Sequence, residues 1–457
     1  MNETKKETLH VIGGGLVGPL TAIYLARRGF DVKLYERRGD MRRGDADAGR
    51  SINLALTARG LKALERVGLK EEIMKITIPM TGRMVHDRAG KTELQPYGQK
   101  EDEVIYAASR GLLNIMLLDA AESYENITIL FHQRCLECDV ENGSAVFEDI
   151  NSGAKTEISG GPIIAADGAW SAVRKSMLEN VPNYNYAQSF LDYGYKELEI
   201  PPAENGGFLM EKNALHIWPR NAYMLIALPN TDGSFTCTLF YPYKGENSFA
   251  HLQTPEDVTA FFKRDFADAL ELMPTLTDDF FDNPTGALAT IKCSPWHDGG
   301  KCCLIGDAAH AIVPFFAQGM NSGFEDCVVL DDILEAAGGT PDWADVFARL
   351  ETSRKPNTDA IADMAVENFT EMRDSVTDPH FLLKKEAGFA LEKRYPGKFI
   401  PRYSMVIFHP EIPYAEARRR SIEQDAMLEE LCRDIQTAEQ IDWNKADALM
   451  QELSIAA

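Results

Sequence analysis

No stretch of the 457-residue chain approaches the roughly eighteen consecutive apolar residues of a membrane-spanning helix. The most apolar short run, Tyr-Met-Leu-Ile-Ala-Leu at 223–228, has the length of a strand. Positive charge is scarce as well. The 47 Lys and Arg set against 70 Asp and Glu leave a formal charge of −23, which argues against nucleic acid and anionic membranes as partners. An acidic small molecule would need a few local arginines acting against that field. The first apolar run, 9–12, leads straight into glycines, so no signal peptide is expected. Internal repeats and long low-complexity segments are absent. Cysteine is present without a metal pattern. Cys135 and Cys138 have CxxC spacing, but no second pair or nearby His pair completes a site, and no helix start follows. Reduced, buried thiols in a soluble cytoplasmic protein are the expectation, with no bound metal.

The composition, 45% hydrophobic and 26% charged, is that of a globular protein, and the length calls for two packed domains. Residues 9–12 read as a buried strand followed by Gly13-Gly14-Gly15-Leu16-Val17-Gly18, a helix over about 19–28, and a strand over 31–36 ending in Glu36. That acid lies 23 residues after Gly13, the order and spacing of a dinucleotide-binding unit. Gly13 permits the tight turn. Gly15 lets backbone N–H groups near Leu16 and Val17 approach a pyrophosphate, and Gly18 lets helix and strand pack closely. Glu36 would accept from ribose hydroxyls and repel a 2′-phosphate, which favours FAD or NAD over NADP here. Arg37 and Arg38 read as adenine-edge or surface residues.

Two further segments repeat the strand–turn–helix theme. One is 163–174, with Asp167-Gly168 and Ser171 as a helix cap. The other is 302–321, with Gly306-Asp307, Pro314 and Gln318-Gly319-Met320-Asn321. An Asp at a strand mouth and a helix N-terminus beyond it suit a sugar hydroxyl and an anion. Together the three segments describe one long ligand, FAD. With a single GxGxxG in the chain, a nicotinamide reductant would visit without its own Rossmann domain. Ser51 or Asn53 reads as the cap of a helix from near Thr57, and Ser109-Arg110 opens another. Alternation over 181–290 predicts an antiparallel sheet. Helices are expected at 321–337 and 342–361, and beyond about 382, with 416–435 the clearest. The fold class is α/β: a Rossmann-type FAD-binding domain, an inserted antiparallel β-sheet substrate domain and a helical C-terminal region. The expected boundaries are 1–78, 107–180 and 291–370 for the first domain, 79–106 and 181–290 for the second, and 371–457 for the helical region closing the pocket.

The three motifs in this order resemble the FAD-dependent single-component aromatic hydroxylases of the p-hydroxybenzoate hydroxylase fold. Stretches at 49–56, 83–86, 95–98, 213–219, 313–316 and 399–405 look like those of the kynurenine 3-monooxygenase family. No counterpart of the membrane-anchoring C-terminal helix of eukaryotic members is expected, and the tail reads as charged and helical. Ala317 replaces a glycine common before Gln-Gly-Met-Asn, so a stiffer loop is expected.

The resemblance implies bound FAD and the small-molecule substrates L-kynurenine, NADPH and O2. It also implies a flavin C4a-hydroperoxide attacked by the ring carbon beside the aniline nitrogen, and no catalytic side chain. Arg83 would clamp the substrate carboxylate with Tyr97, with Asn368 and Tyr403 as further polar contacts. Leu215, Ile226, Leu228, Phe240, Pro314 and Phe315 would wall the ring, and Met372 would close the pocket. For FAD, the resemblance implies Arg38 near the adenosine, Ala55 and Arg110 beside the flavin chain, and Cys135 at the adenine through its backbone. Asp167 and Asp307 would bind the cofactor's oxygens, and Gly319, Met320 and Asn321 would face the flavin pyrimidine. His310 reads as structural or pyrophosphate-side. A hydroxylase of the same fold acting on another aromatic acid is the alternative, and oligomeric state stays open.

Overall fold

The computed structural model describes residues 7–44, 53–375 and 378–453. The chain divides into two compact units. The first is Met1–Thr77, Ala108–Leu191 and Leu288–Ala362, and the second is Ile78–Ala107, Asp192–Ala287 and Asp363–Ala457.

The first unit is built on a six-stranded sheet ordered His297–Asp298, Cys302–Leu304, Ile163–Ala165, Thr8–Ile12, Asp31–Tyr35, Ile127–Leu130. All neighbours run parallel except the first pair. Cys302–Leu304 and Ile163–Ala165 are wholly apolar and buried because both faces are covered, and in Thr8–Ile12 only Thr8 and His10 interrupt the apolar run. Thr8–Ile12 feeds the glycine turn and the helix Val17–Arg27, which starts two residues earlier than its periodicity suggested. The turn is sterically tight. Gly13 takes φ +109°, and a Cβ on Gly18 would fall 1.8 Å from the Gly13 carbonyl oxygen. Ser109 caps the helix Arg110–Glu122 and Ser171 caps Ala172–Asn180, both through side-chain oxygens. The helix expected near Thr57 is Ala58–Arg66. Its N-cap is Thr57 rather than Asn53, with no side-chain capping bond, and Ser51 lies outside the described residues.

A buried ion network pins the turn at Gly306. Asp326 accepts from the Gly306 N–H at 2.9 Å, from Arg354 Nε at 2.7 Å, and pairs with His310 Nε2 at 2.6 Å. This places His310 in the framework. Burial opposes ionisation of Asp326, yet His310 and Arg354 more than offset it and hold the carboxyl down to about 2.

In the second unit the strands Phe235–Pro242, Met224–Pro229, Ala214–Pro219, Gly82–His86 and Thr92–Pro96 lie side by side in that order. One pair departs from the expected antiparallel arrangement: Gly82–His86 runs parallel to Ala214–Pro219 with Arg83 opposite Leu215. One face of this sheet packs Trp218, Leu225, Phe235 and Leu239 against Val258, Phe261, Phe262 and Phe266. Those partners belong to a helical stretch, Pro255–Asp265, Ala267–Leu270 and Leu276–Asp282, inside a region expected to hold strands only. Its start was marked in the sequence, since Thr254 and Asp257 form a capping box around Pro255.

Trp343–Thr370 is one helix running through Pro356, longer than its pattern suggested. Pro379–Arg394, Arg402–Ile407, Tyr414–Cys432 and Trp443–Glu452 follow, with Leu391, Phe399, Met427 and Leu431 in their shared core. Among the described residues no helix is long and apolar enough to cross a membrane.

Two outcomes follow from this framework. Gly18→Ala forces a backbone shift and is expected to cost about 3 kcal/mol, read as a lower thermal midpoint with loss of bound flavin. Asp326→Asn takes one carboxylate from the buried Arg354 guanidinium, which retains Glu325 at 2.6 Å, and should cost about 3 kcal/mol. Because the folded carboxyl titrates below its ordinary range near 4, its stabilisation is complete above that range and is lost as pH falls toward 2. That share, about 2 kcal/mol, should be missing from the acid-side decline of the variant in pH-dependent thermal unfolding.

Candidate active site

In the first unit the glycine turn ends at a helix N-terminus without a side-chain cap and without an acid in its first turn. Its N–H groups therefore have no anion from the helix's own first turn, and an ideal Cβ on Gly15 would meet nothing within 4 Å. Glu36 is buried and accepts from Gly14 N–H at 2.6 Å and from Arg38 N–H and Nε at 2.9 and 2.8 Å. Burial disfavours its charge, but Arg38 and these N–H groups outweigh that and lower its pKa. Arg37 and Arg38 are exposed, and the Arg38 guanidinium is paired with Glu36.

Asp167 uses Oδ2 to cap Ala172 N–H at 2.8 Å, while its buried Oδ1 has no hydrogen-bond partner among the described residues. Burial raises its pKa. Asp307 is exposed although Gly306 and Ala308 on either side of it are buried. Arg174 joins these two segments by donating to the Ala308 carbonyl at 2.7 Å. An uncapped helix N-terminus, a buried ribose-type acceptor, an orphaned carboxylate oxygen and an exposed strand-end Asp fit FAD in extended form.

Other residues named from sequence take varied places. Asn321 is fully buried, and its side chain is committed to the framework: Nδ2 donates to Ala55 O at 2.9 Å and to Ala317 O at 2.8 Å, and Oδ1 accepts from Thr57 N–H at 3.0 Å. Only its backbone is left for a ligand. Gly319 and Met320 begin the helix Gly319–Ala337 and are half-buried. Ala317 takes φ +54°, a left-handed conformation that glycine adopts more easily. Arg110 is exposed at the first turn of its helix, and Cys135 is half-buried on the strand Gln133–Asp139. Pro314 is exposed and Phe315 buried in a short 3-10 turn of this unit. Asn114 was not singled out from sequence. It donates to both Gly14 O and Gly15 O at 3.0 Å and holds the glycine turn; its signal was a buried Asn on an apolar helix face.

The second unit gathers most of the predicted substrate residues. Pairing of Leu215 with Arg83, Ile217 with Val85 and Ile226, Ile226 with Thr238, Leu228 with Thr236, and Met224 with Phe240 defines one sheet face. Arg83, Leu215, Ile226, Leu228 and Phe240 all lie on it, opposite the face that packs on the helices. Arg83 is buried, with its guanidinium 5.7 Å from the Tyr97 ring centroid and 5.1 Å from that of Tyr403. The two rings stack at 5.2 Å. No carboxylate lies at ion-pair distance from Arg83 among the described residues. Burial opposes its charge, but Tyr403, Tyr97 and Glu371 raise its pKa, so the cation persists. Burial pushes the Tyr97 hydroxyl up to about 12, and that hydroxyl has no hydrogen bond of good geometry among the described residues.

Asn368 and Met372 are buried at the end of the long helix and just after it. Three charged neighbours escaped the sequence reading. Glu371 is held by Arg402 at 2.8 Å, and burial together with Arg83 depresses Lys385 to about 8. All three lie on helical segments whose charges read as solvated surface.

Known proteins resemble this chain in sequence and in fold. Residues 5–361 match the family model described as an FAD binding domain. A kynurenine 3-monooxygenase of Myxococcus xanthus is 50% identical over 451 residues, 99% of this chain and 96% of that protein. One from Dictyostelium discoideum is 43% identical, covering 97% of each. Among solved structures, 2-methyl-3-hydroxypyridine-5-carboxylic acid oxygenase superposes with a TM-score of 0.65 at 20% identity, over 83% of this chain and 96% of that one. The p-nitrophenol 4-monooxygenase PnpA of Pseudomonas putida gives 0.64 at 17%, over 92% and 98%. These two share the fold. The sequence relationships go further: this chain belongs to the kynurenine 3-monooxygenase family.

Proposed function

We propose that this protein hydroxylates L-kynurenine at the ring carbon beside the aniline nitrogen, using O2 and NADPH. The observation that carries the substrate assignment is Arg83, a buried cation stacked on two tyrosines with no protein carboxylate at ion-pair distance among the described residues. A buried charge in that state calls for an anionic ligand. The amino-acid carboxylate of kynurenine meets the need, and the Tyr97 hydroxyl supplies a second donor.

The apolar residues on the same sheet face suit the aromatic end. Leu215, Ile226, Leu228 and Phe240 would exclude water from the ring. Asn368, Tyr403 and Met372 complete the pocket in this reading. Bound FAD supplies the electron transfer and oxygen activation that side chains cannot. Gly13 to Gly18 would hold its pyrophosphate, Glu36 its ribose, and Asp167 and Asp307 its remaining oxygens. The chain's own task is to bind, orient and keep dry. The substrate ring carbon is already electron-rich through the neighbouring amine, so no side-chain nucleophile is assigned.

Purified flavin-loaded protein should oxidise NADPH faster with L-kynurenine present, and the product should gain the mass of one oxygen. Stimulation without that mass gain would make kynurenine an effector and favour another aromatic acid as substrate. For Arg83→Met, half-saturation for kynurenine should rise about a hundredfold, near 3 kcal/mol, with flavin content retained. An unchanged kynurenine response in flavin-loaded Arg83→Met would overturn the carboxylate assignment.

A further inference from the structure

Thr238 is 1% exposed, and its Oγ1 has no hydrogen-bond partner among the described residues. It occupies the substrate-facing side of the sheet, directly opposite Ile226 and two residues from Phe240 on the same strand. Its neighbour Thr236 on that face is satisfied, accepting from Asn230 Nδ2 at 3.0 Å. An orphaned hydroxyl at the centre of an apolar wall is unfavourable in the free protein, where valine would fill the same space without the loss. The structure therefore carries a buried polar atom left available to a ligand on this face of the sheet.

Its place across the sheet says which end of the ligand. From the strand of Arg83 to that of Thr238 there are three strand spacings, about 14 Å. A molecule whose carboxylate meets the Arg83 guanidinium brings its far end, the aromatic one, toward Thr238. In an ortho-amino aryl ketone one ring-amine N–H bonds the ketone oxygen within the molecule. The second N–H has no internal acceptor, and an aliphatic wall would leave it unsatisfied.

Resting on the kynurenine reading above, we propose that Thr238 is a specificity residue whose hydroxyl oxygen accepts the second aniline N–H of the substrate. One hydrogen bond then satisfies two buried groups. It also fixes the ring's rotation, so that the carbon beside the amine is presented in one orientation. An acceptor on the N–H leaves the nitrogen lone pair conjugated with the ring, which keeps that carbon electron-rich. A wall of aliphatic side chains alone would hold the ring in either of two flipped orientations. Thr238 distinguishes them.

The test compares L-kynurenine with its desamino analogue, the same amino acid bearing an unsubstituted phenyl ketone, by flavin-absorbance titration of the holoenzyme. The parent should prefer kynurenine by tenfold or more. Thr238→Val should reduce that preference about tenfold, the scale of one hydrogen bond to a buried group, and Thr238→Ser should restore it to within about twofold. A preference that survives in Thr238→Val, or equal affinities of the parent for both ligands, would overturn the assignment; the second result needs no variant to fold. A parent whose NADPH oxidation kynurenine does not stimulate would overturn the kynurenine reading together with it. A stimulated parent with an unaltered variant removes the Thr238 role alone.

Discussion

The parallel pairing of Gly82–His86 with Ala214–Pro219 is the constraint on which the substrate side depends. Side chains alternate along a strand, so a slip of one residue would turn Arg83 into the helix-packed core and carry His86 into the pocket. The opposite face holds the register. His86 bonds His216 at 2.8 Å and Asp268 at 2.7 Å and stacks on Trp218, whose indole N–H donates to the same Asp268. Burial lowers His216 to about 4, so this part of the network is neutral under ordinary conditions. The stretches 83–86 and 213–219, two of those that carried the family resemblance, thus combine the Arg83-bearing face with the lock that fixes it on the other.

A comparable division of labour runs through the first unit. The residues that would touch a dinucleotide are mostly backbone or short side chains, and longer polar side chains behind them fix the loops. Asn114 holds the glycine turn, Arg174 ties Ala169 to Ala308, and Asp326 anchors Gly306. Asn321, expected beside the cofactor, belongs to the supporting group by its side chain, because all its polar atoms bond the 55–57 segment and Ala317.

The sequence was most legible where local chemistry decides the backbone. The glycine turn, Glu36 at its strand end and the Ser109 and Ser171 caps depend on a few neighbouring residues, and they stand where their spacing put them. Legibility failed where the decisive partner is far along the chain. Nothing near Gly82 announces a parallel neighbour at 214, and an Asp inside a helix at 326 reads as surface until Arg354 and His310 converge on it. The helices over 255–282 are a different case. Their capping box stands in the sequence at Thr254 and Asp257, but reading 181–290 as strands passed over it.

Among the described residues several buried polar groups are left incomplete: the Arg83 guanidinium without a counter-ion, and the Tyr97 hydroxyl, Asp167 Oδ1 and Thr238 Oγ1 without hydrogen bonds. Each is unfavourable by an amount on the order of 1–3 kcal/mol, so together they remove a sizeable fraction of the margin by which a domain is stable. A fold selected for stability alone would replace them with apolar groups of the same shape. Their retention is understandable if ligands complete them, because the same deficit then becomes selectivity. A ligand lacking the matching carboxylate, ribose or amine leaves the group unpaired and binds poorly. The deficits fall in both units, Asp167 Oδ1 in one and Arg83, Tyr97 and Thr238 in the other, and a ligand that completed either set would stabilise the unit holding it.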